Sequence, residues 1–413
     1  MVLASGRIAV VRDVQSFDES FHQPDEDDEM ITVADKPIAT KDEESDDEEH
    51  DAFLTELAYS DPATPKTYYD AIKSEHSDHW RQAMEEEMKA MQHNNTWNLV
   101  KAPKEANIIG SRWIYKLKTD SNGNICKFKA RLVAQGFSQQ YGIDYLETYA
   151  PVISMTGLRV FFSIAATRWM KVEHMDVTTA FLNSNLTMTL YMKQPLGFEV
   201  KDDDGNELVC ELKRAIYGLK QAGREWWTTI ESFLIEFGFK SSSVEPCLFI
   251  FQRQGSLTIL ALYVDDIAIA SDSDDDLKTI KRELSKRFRL RDLGKIEWVL
   301  GMKVDFNDNK KEIHLSQKAY IDKVLKRFGM ENSKPTTTPS SLGHVRHEEQ
   351  IGDFQYRECV GSLMYAAITT RPDIAFAVNT CARYVSKPVN SDEIAIKRIL
   401  RYLKETASYG IKF

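Results

Sequence analysis

Residues 257–272 read LTILALYVDDIAIASD, two strongly β-prone apolar runs with Asp265 and Asp266 set between them. Such a stretch predicts a β-hairpin with the two carboxylates at its turn. An aspartate pair can do no more than serve a tight turn. Here the flanking strands are apolar enough to be buried, and a buried hairpin holds its turn carboxylates rigidly near the core. Asp176 ends the strand-like MKVEHMD of residues 170–176 and is followed by the small-residue and aromatic stretch Val177–Leu182. If that strand lies beside the hairpin, three carboxylates meet at one sheet edge. Hard oxygen ligands of that kind suit Mg2+, and two such ions can drive an in-line displacement at phosphorus. Nothing local brings Asp176 to the hairpin, and an isolated strand-end aspartate is ordinarily structural.

Outward from the hairpin, strand-like and helix-like segments alternate. Strands are predicted at Trp113–Lys118, Ala130–Ala134, Val172–Val177, Leu257–Tyr263, Ile267–Ser271 and Trp298–Val304. Helices are predicted at Leu158–Thr167, Arg224–Phe237, Leu277–Phe288 and Tyr320–Phe328. In the third helix Leu277, Ile280, Leu284 and Phe288 form one apolar stripe, and Asp274–Asp276 lie at its positive end. HWRQAMEEEMKAMQ, residues 79–92, has the spacing of an amphipathic helix. The mixture implies an α+β fold rather than a βαβ series.

The net charge of −10 looks wrong for a nucleic-acid binder, but it is unevenly spread. Between Asp25 and Asp51 fourteen acidic residues face Lys36 and Lys41, a local net of −12 that leaves +2 for the rest. This tract lacks the apolar content to offset chain entropy, so 25–64 is expected to be a disordered acidic linker. The five cysteines are odd in number, widely spaced and without a CxxC pair, which argues against a disulfide framework and a zinc site and for a reducing compartment. The most apolar stretch, around 257–270, is broken by the two aspartates, so no membrane span and no secretory signal is read. An intracellular protein is expected.

HMDVTTAFLN (174–183), the YVDD hairpin and AIYGLKQAGREWW (215–227) between them resemble the reverse transcriptases of copia-type LTR retrotransposons. So do NNTWNLV (94–100), IGSRWIYKLKTDSNGNICKFKARLVAQGFSQQYGIDYLETYAPV (109–152) and VEPCLFIF (244–251). LRDLGKIEWVLGM (290–302), VGSLMYAAITTRPDIAFAV (360–378) and KRILRYLKETASYGI (397–411) complete the series in the family's order. Long motifs in one order are far more specific than a four-residue match.

The resemblance implies a right-hand polymerase fold of fingers, palm and thumb, copying an RNA or DNA template onto a primer from deoxynucleotide triphosphates. Asp176, Asp265 and Asp266 match the family's metal-binding aspartates, which hold two Mg2+ ions, with Mn2+ a possible substitute. Phe181 matches the aromatic beneath the incoming sugar, and Gln221 the residue that contacts the incoming nucleotide and template. Among Lys116, Lys118, Lys127, Lys129 and Arg131, the triphosphate is assigned to Lys116 and Arg131, although K-F-K-A-R is equally the pattern of a solvent-facing strand edge. Trp298 to Met302, Gly301 included, resembles the primer-gripping hairpin, and Tyr263 is expected against the primer terminus. Virus-like particles in the cytoplasm, or a nuclear location, follow only from the family.

The implied organisation runs from a remnant trailing the integrase (1–24), through the linker (25–64) and a helix (65–95), to fingers and palm (96–305). A thumb-like segment (306–345) and a connection-like region (346–413) follow, without the acidic motifs of ribonuclease H. Gly223 stands where the family usually has proline, and a histidine common near Ser391 is missing. Two functions stay open: an active polymerase, or a catalytically silent transposon remnant that folds and at most binds nucleic acid.

Overall fold

The acidic strip and the segments around it lie outside the described residues: the computed structural model describes 64–119, 125–341 and 352–413. From Thr64 the chain forms helices α1 (Tyr68–Lys73) and α2 (Ser77–His93), then strands β1 (Trp97–Lys101) and β2 (Ile108–Ile109). A two-stranded ribbon follows, β3 (Ser111–Thr119) and β4 (Ile125–Ala134), and then α3 (Met155–Thr167), β5 (Lys171–Val177), β6 (Asn185–Lys193) and β7 (Leu208–Arg214). Helix α4 (Ala222–Phe237) leads to β8 (Lys240–Ser241), β9 (Leu248–Arg253), β10 (Ser256–Tyr263) and β11 (Asp266–Ser271). Next come α5 (Asp274–Arg287), β12 (Leu290–Lys295), β13 (Trp298–Val299), β14 (Met302–Asn307) and β15 (Glu312–Ser316). The chain ends in α6 (Lys318–Arg327), α7 (Tyr356–Thr369), α8 (Ala375–Ala382), α9 (Asn390–Glu405) and β16 (Gly410–Lys412).

The fold is mixed α and β, and its largest sheet is antiparallel in the order β12-β5-β11-β10-β9-β8. The strand MKVEHMD therefore does lie beside the hairpin, as β5 against β11. Strands β10 and β11 are buried along nearly their whole length, which is why their sequences are continuously apolar rather than alternating. Helix α5 covers one face of the sheet with its apolar stripe: Leu277, Ile280, Leu284 and Phe288 are all buried. Its start is fixed by Ser273, whose hydroxyl accepts from Asp276 N–H, with three aspartates in the first turn favourable to the helix dipole.

The ribbon β3–β4 is two-faced. Cross-strand partners Trp113↔Leu132, Tyr115↔Ala130 and Leu117↔Phe128 share one side, and Trp80 of α2 packs there edge-on to Tyr115 and Phe128, at 5.2 and 4.8 Å between ring centroids. Because side chains alternate, Lys116↔Lys129 and Ile114↔Arg131 fall on the opposite side. The residues read as one helix over 65–95 form two, α1 and α2, parted at Ser74–His76. A second core holds the C-terminal helices, with Leu325, Leu363, Val378, Ile396 and Leu400 among its buried residues. Its last strand, β16, pairs with β15 and so completes the sheet β13-β14-β15-β16. All five cysteines are free thiols, and no described helix is long and apolar enough to cross a membrane.

Candidate active site

The turn of the β10–β11 hairpin is Val264–Asp265, closed by the pair Tyr263↔Asp266. Val264 adopts φ 50°, a left-handed conformation that a β-branched residue rarely takes. Two hydrogen bonds hold it there. The Trp226 indole N–H of α4 donates to Val264 O at 2.6 Å, and Val177 N–H of β5 donates to Asp265 O at 2.8 Å.

In the β5–β11 ladder Asp176 is the direct partner of Asp266. With Asp265 next in the chain, three carboxylate-bearing residues from segments about ninety positions apart occupy one sheet edge. Burial, then the charges of Asp266 and Asp176, push the Asp265 carboxyl above its ordinary value, against the opposing pull of its own backbone N–H and Arg131. The donor set, three hard oxygen carboxylates, fits a divalent cation. As placed, however, two of the three carboxylates are already engaged. Asp176 is engaged by the guanidinium of Arg291, its β12 partner, while Asp266 Oδ1 stands 3.0 Å from His174 Nε2. Among the described residues no group of three or more His, Cys, Asp or Glu side chains converges tightly enough to hold an ion.

Beside this edge lies an aromatic and cationic corner. Phe181 is buried in the 3-10 turn Ala180–Asn183 that follows β5, and its ring meets Tyr217 edge-on at 4.8 Å. The Arg131 guanidinium lies 4.5 Å from the centre of the Tyr217 ring. Burial raises the Tyr217 hydroxyl's pKa; Arg131 lowers it, and Asp265 and Asp176 add to the rise. Phe181, Arg131 and the carboxylates are thus neighbours. Lys116 is not among them: it is exposed and pairs with Lys129 two positions nearer the ribbon's tip.

Gln221 caps α4 and is buried, with its amide spent internally. Its Oε1 accepts from Gln139 Nε2 at 3.0 Å and its Nε2 donates to Asp144 O at 2.9 Å. The adjoining turn is closed by a close glycine approach: Gly218 (φ 86°) lies so near β4 that an added Cβ would stand 2.2 Å from Ala134 O. Gly223 occupies the first turn of α4.

Trp298 and Gly301 belong to a tight hairpin, β13–β14, whose turn residues Leu300 and Gly301 both have positive φ, 46° and 75°. Trp298 is about half exposed, and Val299 and Leu300 line a cleft together with Tyr263, Asp266 and His174. The Tyr365 hydroxyl of α7 donates to Leu300 O at 3.0 Å and ties this hairpin to the C-terminal helices.

Sequence reasoning missed His174, Tyr217, Trp226 and Arg291. His174 had a signal, since it lies two residues before Asp176 and so shares its face of β5. Arg291 had none, because its pairing spans 115 positions.

The family model for reverse transcriptase (RNA-dependent DNA polymerase) matches residues 94–341. The chain belongs to the reverse transcriptase family. It is 38% identical over 360 residues, 84% of its length, to the retrovirus-related Pol polyprotein from transposon TNT 1-94 of Nicotiana tabacum, covering 27% of that protein. The corresponding Pol polyproteins from transposons RE1 and RE2 of Arabidopsis thaliana are 39% and 38% identical over 84% and 87% of this chain, each covered to 24%. The chain thus spans about a quarter of these curated relatives of copia type. As a member of the reverse transcriptase family it carries the three aspartates inside the matched segment, whereas α2, which backs the β3–β4 ribbon, lies before it.

Proposed function

We propose that this reverse transcriptase segment is an RNA-directed DNA polymerase that extends a primer 3′-hydroxyl with deoxynucleotide triphosphates on an RNA or DNA template. The observation that carries the reading is the ladder register Asp176↔Asp266 with Asp265 in the adjoining turn. Asp176, Asp265 and Asp266 would hold the metal. Two Mg2+ ions, or Mn2+, supply charge neutralisation at the phosphates and a more acidic primer hydroxyl. Arg131 neutralises triphosphate oxygens as charge develops on them, with Lys116 offering a second cation from the same ribbon face. Phe181, braced by Tyr217, forms the floor beneath the sugar and excludes a 2′-hydroxyl. Tyr263 and the Trp298–Gly301 hairpin position the primer end, and Gln221 acts through the 139–144 segment that it fastens. In this reading the ribbon and α2 serve as fingers, the six-stranded sheet as palm and the helices after β15 as thumb and connection.

A second reading is a catalytically silent transposon remnant, favoured by one observation: Arg291 and His174 occupy the carboxylates of Asp176 and Asp266. Primer extension on a primed RNA template with Mg2+ and deoxynucleotides separates the two. The polymerase reading expects extension by wild type and none by Asp265→Asn. A folded wild type that extends nothing, in Mn2+ as well, supports the remnant.

A further inference from the structure

Helix α2 turns an apolar face to the β3–β4 ribbon, and a carboxylate stands in that face. Trp80, Ala83, Met84 and Met91 are buried along it, and Glu87 falls between Met84 and Met91 at helical spacing. Its neighbours Glu85 and Glu86 are exposed, whereas Glu87 is half-buried. An acid on a core-facing stripe loses hydration. Burial pushes the Glu87 carboxyl above its ordinary value, against the pull of Leu132 N–H, Arg131 and Lys129. A leucine at this position would carry no such cost.

What the carboxylate meets is the outer edge of β4. Alternate N–H groups of β4 serve its ladder with β3, so those of Leu132 and Ala134 point the other way. Leu132 N–H donates to Glu87 Oε1 at 3.3 Å, and Ala134 N–H donates to Tyr217 O at 2.8 Å. Glu87 and Tyr217 thus occupy successive donor positions along one strand edge. The peptide that Glu87 holds is the one joining Arg131 to Leu132, and the Arg131 guanidinium lies 4.5 Å from the centre of the Tyr217 ring. The charges agree with this placement. Arg131 lowers the pKa of both Glu87 and Asp265, and both carboxylates raise that of the Tyr217 hydroxyl.

We infer that Glu87 is a positioning residue for nucleotide binding: through Leu132 N–H and its own negative charge it holds the Arg131 guanidinium over Tyr217. A neutral acceptor would satisfy Leu132 equally well, whereas a guanidinium is held more strongly by a charge. An arginine set in place before the nucleotide arrives loses less freedom when it binds. That the group bound is a triphosphate rests on the polymerase reading; the coupling of Glu87 to Arg131 does not. Glu87 also lies before the matched segment 94–341, so the family description does not reach it.

The test uses the full chain and Glu87→Gln, which keeps an oxygen for Leu132 N–H and removes only the charge. Steady-state single-nucleotide incorporation gives KM and kcat. Titration of a fluorescent deoxynucleotide triphosphate, with Mg2+, onto the chain bound to a primer–template without a primer 3′-hydroxyl gives affinity without turnover. Glu87→Gln should raise the nucleotide KM about fivefold or more, leave kcat within about twofold, and weaken the titrated nucleotide to match. Its melting temperature and primer–template affinity should be those of wild type. In an Arg131→Ala background the same change should add nothing, because the two residues act as one unit. If wild type extends primers and Glu87→Gln leaves KM and nucleotide affinity unaltered, the proposal is overturned and the polymerase reading stands. A full effect of Glu87→Gln in the Arg131→Ala background overturns it equally. If wild type extends nothing, yet Glu87→Gln weakens nucleotide only when Arg131 is present, the positioning stands and the polymerase reading falls. A wild type that neither extends a primer nor binds nucleotide overturns both.

Discussion

At the scale of residues, the candidate centre depends on a turn that its own sequence disfavours. Val264 sits at φ 50°, a conformation that costs on the order of 1–3 kcal/mol, and it persists because neighbours fix it. Trp226 supplies the shortest of those restraints. Trp226→Phe keeps most of the buried ring and removes the N–H, so it should lower unfolding free energy by about 1 kcal/mol in urea titration. The same change should reduce primer extension well beyond that small loss, because Asp265 follows the freed carbonyl. Unchanged extension would mean that the turn is fixed without Trp226. The place of Asp265 and Asp266 was legible because two apolar strands flank them and put them at a hairpin turn. Trp226, Tyr217 and Arg291 were not, since each acts through a contact distant in sequence.

Elements show the same division. The β10–β11 hairpin, the α5 stripe and the strands at Trp113–Lys118 and Ala130–Ala134 were readable from local pattern, because burial on one or both faces leaves a periodic trace. The pairing of those two strands into the β3–β4 ribbon was not read. Strand β6 was missed although Leu186, Met188, Leu190 and Met192 alternate along it, a trace diluted by intervening Thr, Asn and Tyr. Strands β7 and β9 also went unread, and what joins the ribbon to the AIYGLKQAGREWW segment was invisible locally. That junction is the backbone contact of Gly218 with β4, together with Ala134 N–H donating to Tyr217 O at 2.8 Å. Gly218→Ala adds a Cβ at positive φ against an unyielding carbonyl. It should cost about 2 kcal/mol or more in chemical denaturation and displace Arg131 from Tyr217. A stability within 0.5 kcal/mol of wild type, on the scale of an ordinary surface change, would contradict the close approach.

Across the whole molecule, the C-terminal helices form their own core but are fastened at one buried charge. Arg371 is fully buried, bonded to Asp373 at 2.7 Å and to Thr406 O at 2.8 Å. Burial alone would raise the Asp373 carboxyl; Arg371, with help from Tyr402, outweighs it and holds the carboxyl below its ordinary value. A depressed folded pKa contributes stability that is present above the unfolded carboxylate value, about 3.9, and lost as pH falls through the folded one. The melting temperature should therefore fall on acidification below about pH 4. Asp373→Asn, which strands a buried guanidinium, should cost about 3 kcal/mol at neutral pH and flatten that acid limb. A variant with an unaltered acid limb would show that other carboxylates set it. TTRPDI gave no sign of this role in the sequence, because Thr406 lies 35 positions away.

The central claim is that a strand-end aspartate and a distant hairpin form one catalytic centre, and single-nucleotide incorporation by Asp176→Asn tests it most directly. The expected result is a loss of about a hundredfold or more with the fold retained. Arg291→Ala, which breaks the same ion pair from the other side, should keep the rate. An Asp176→Asn protein that incorporates nucleotide at the wild-type rate would contradict the claim.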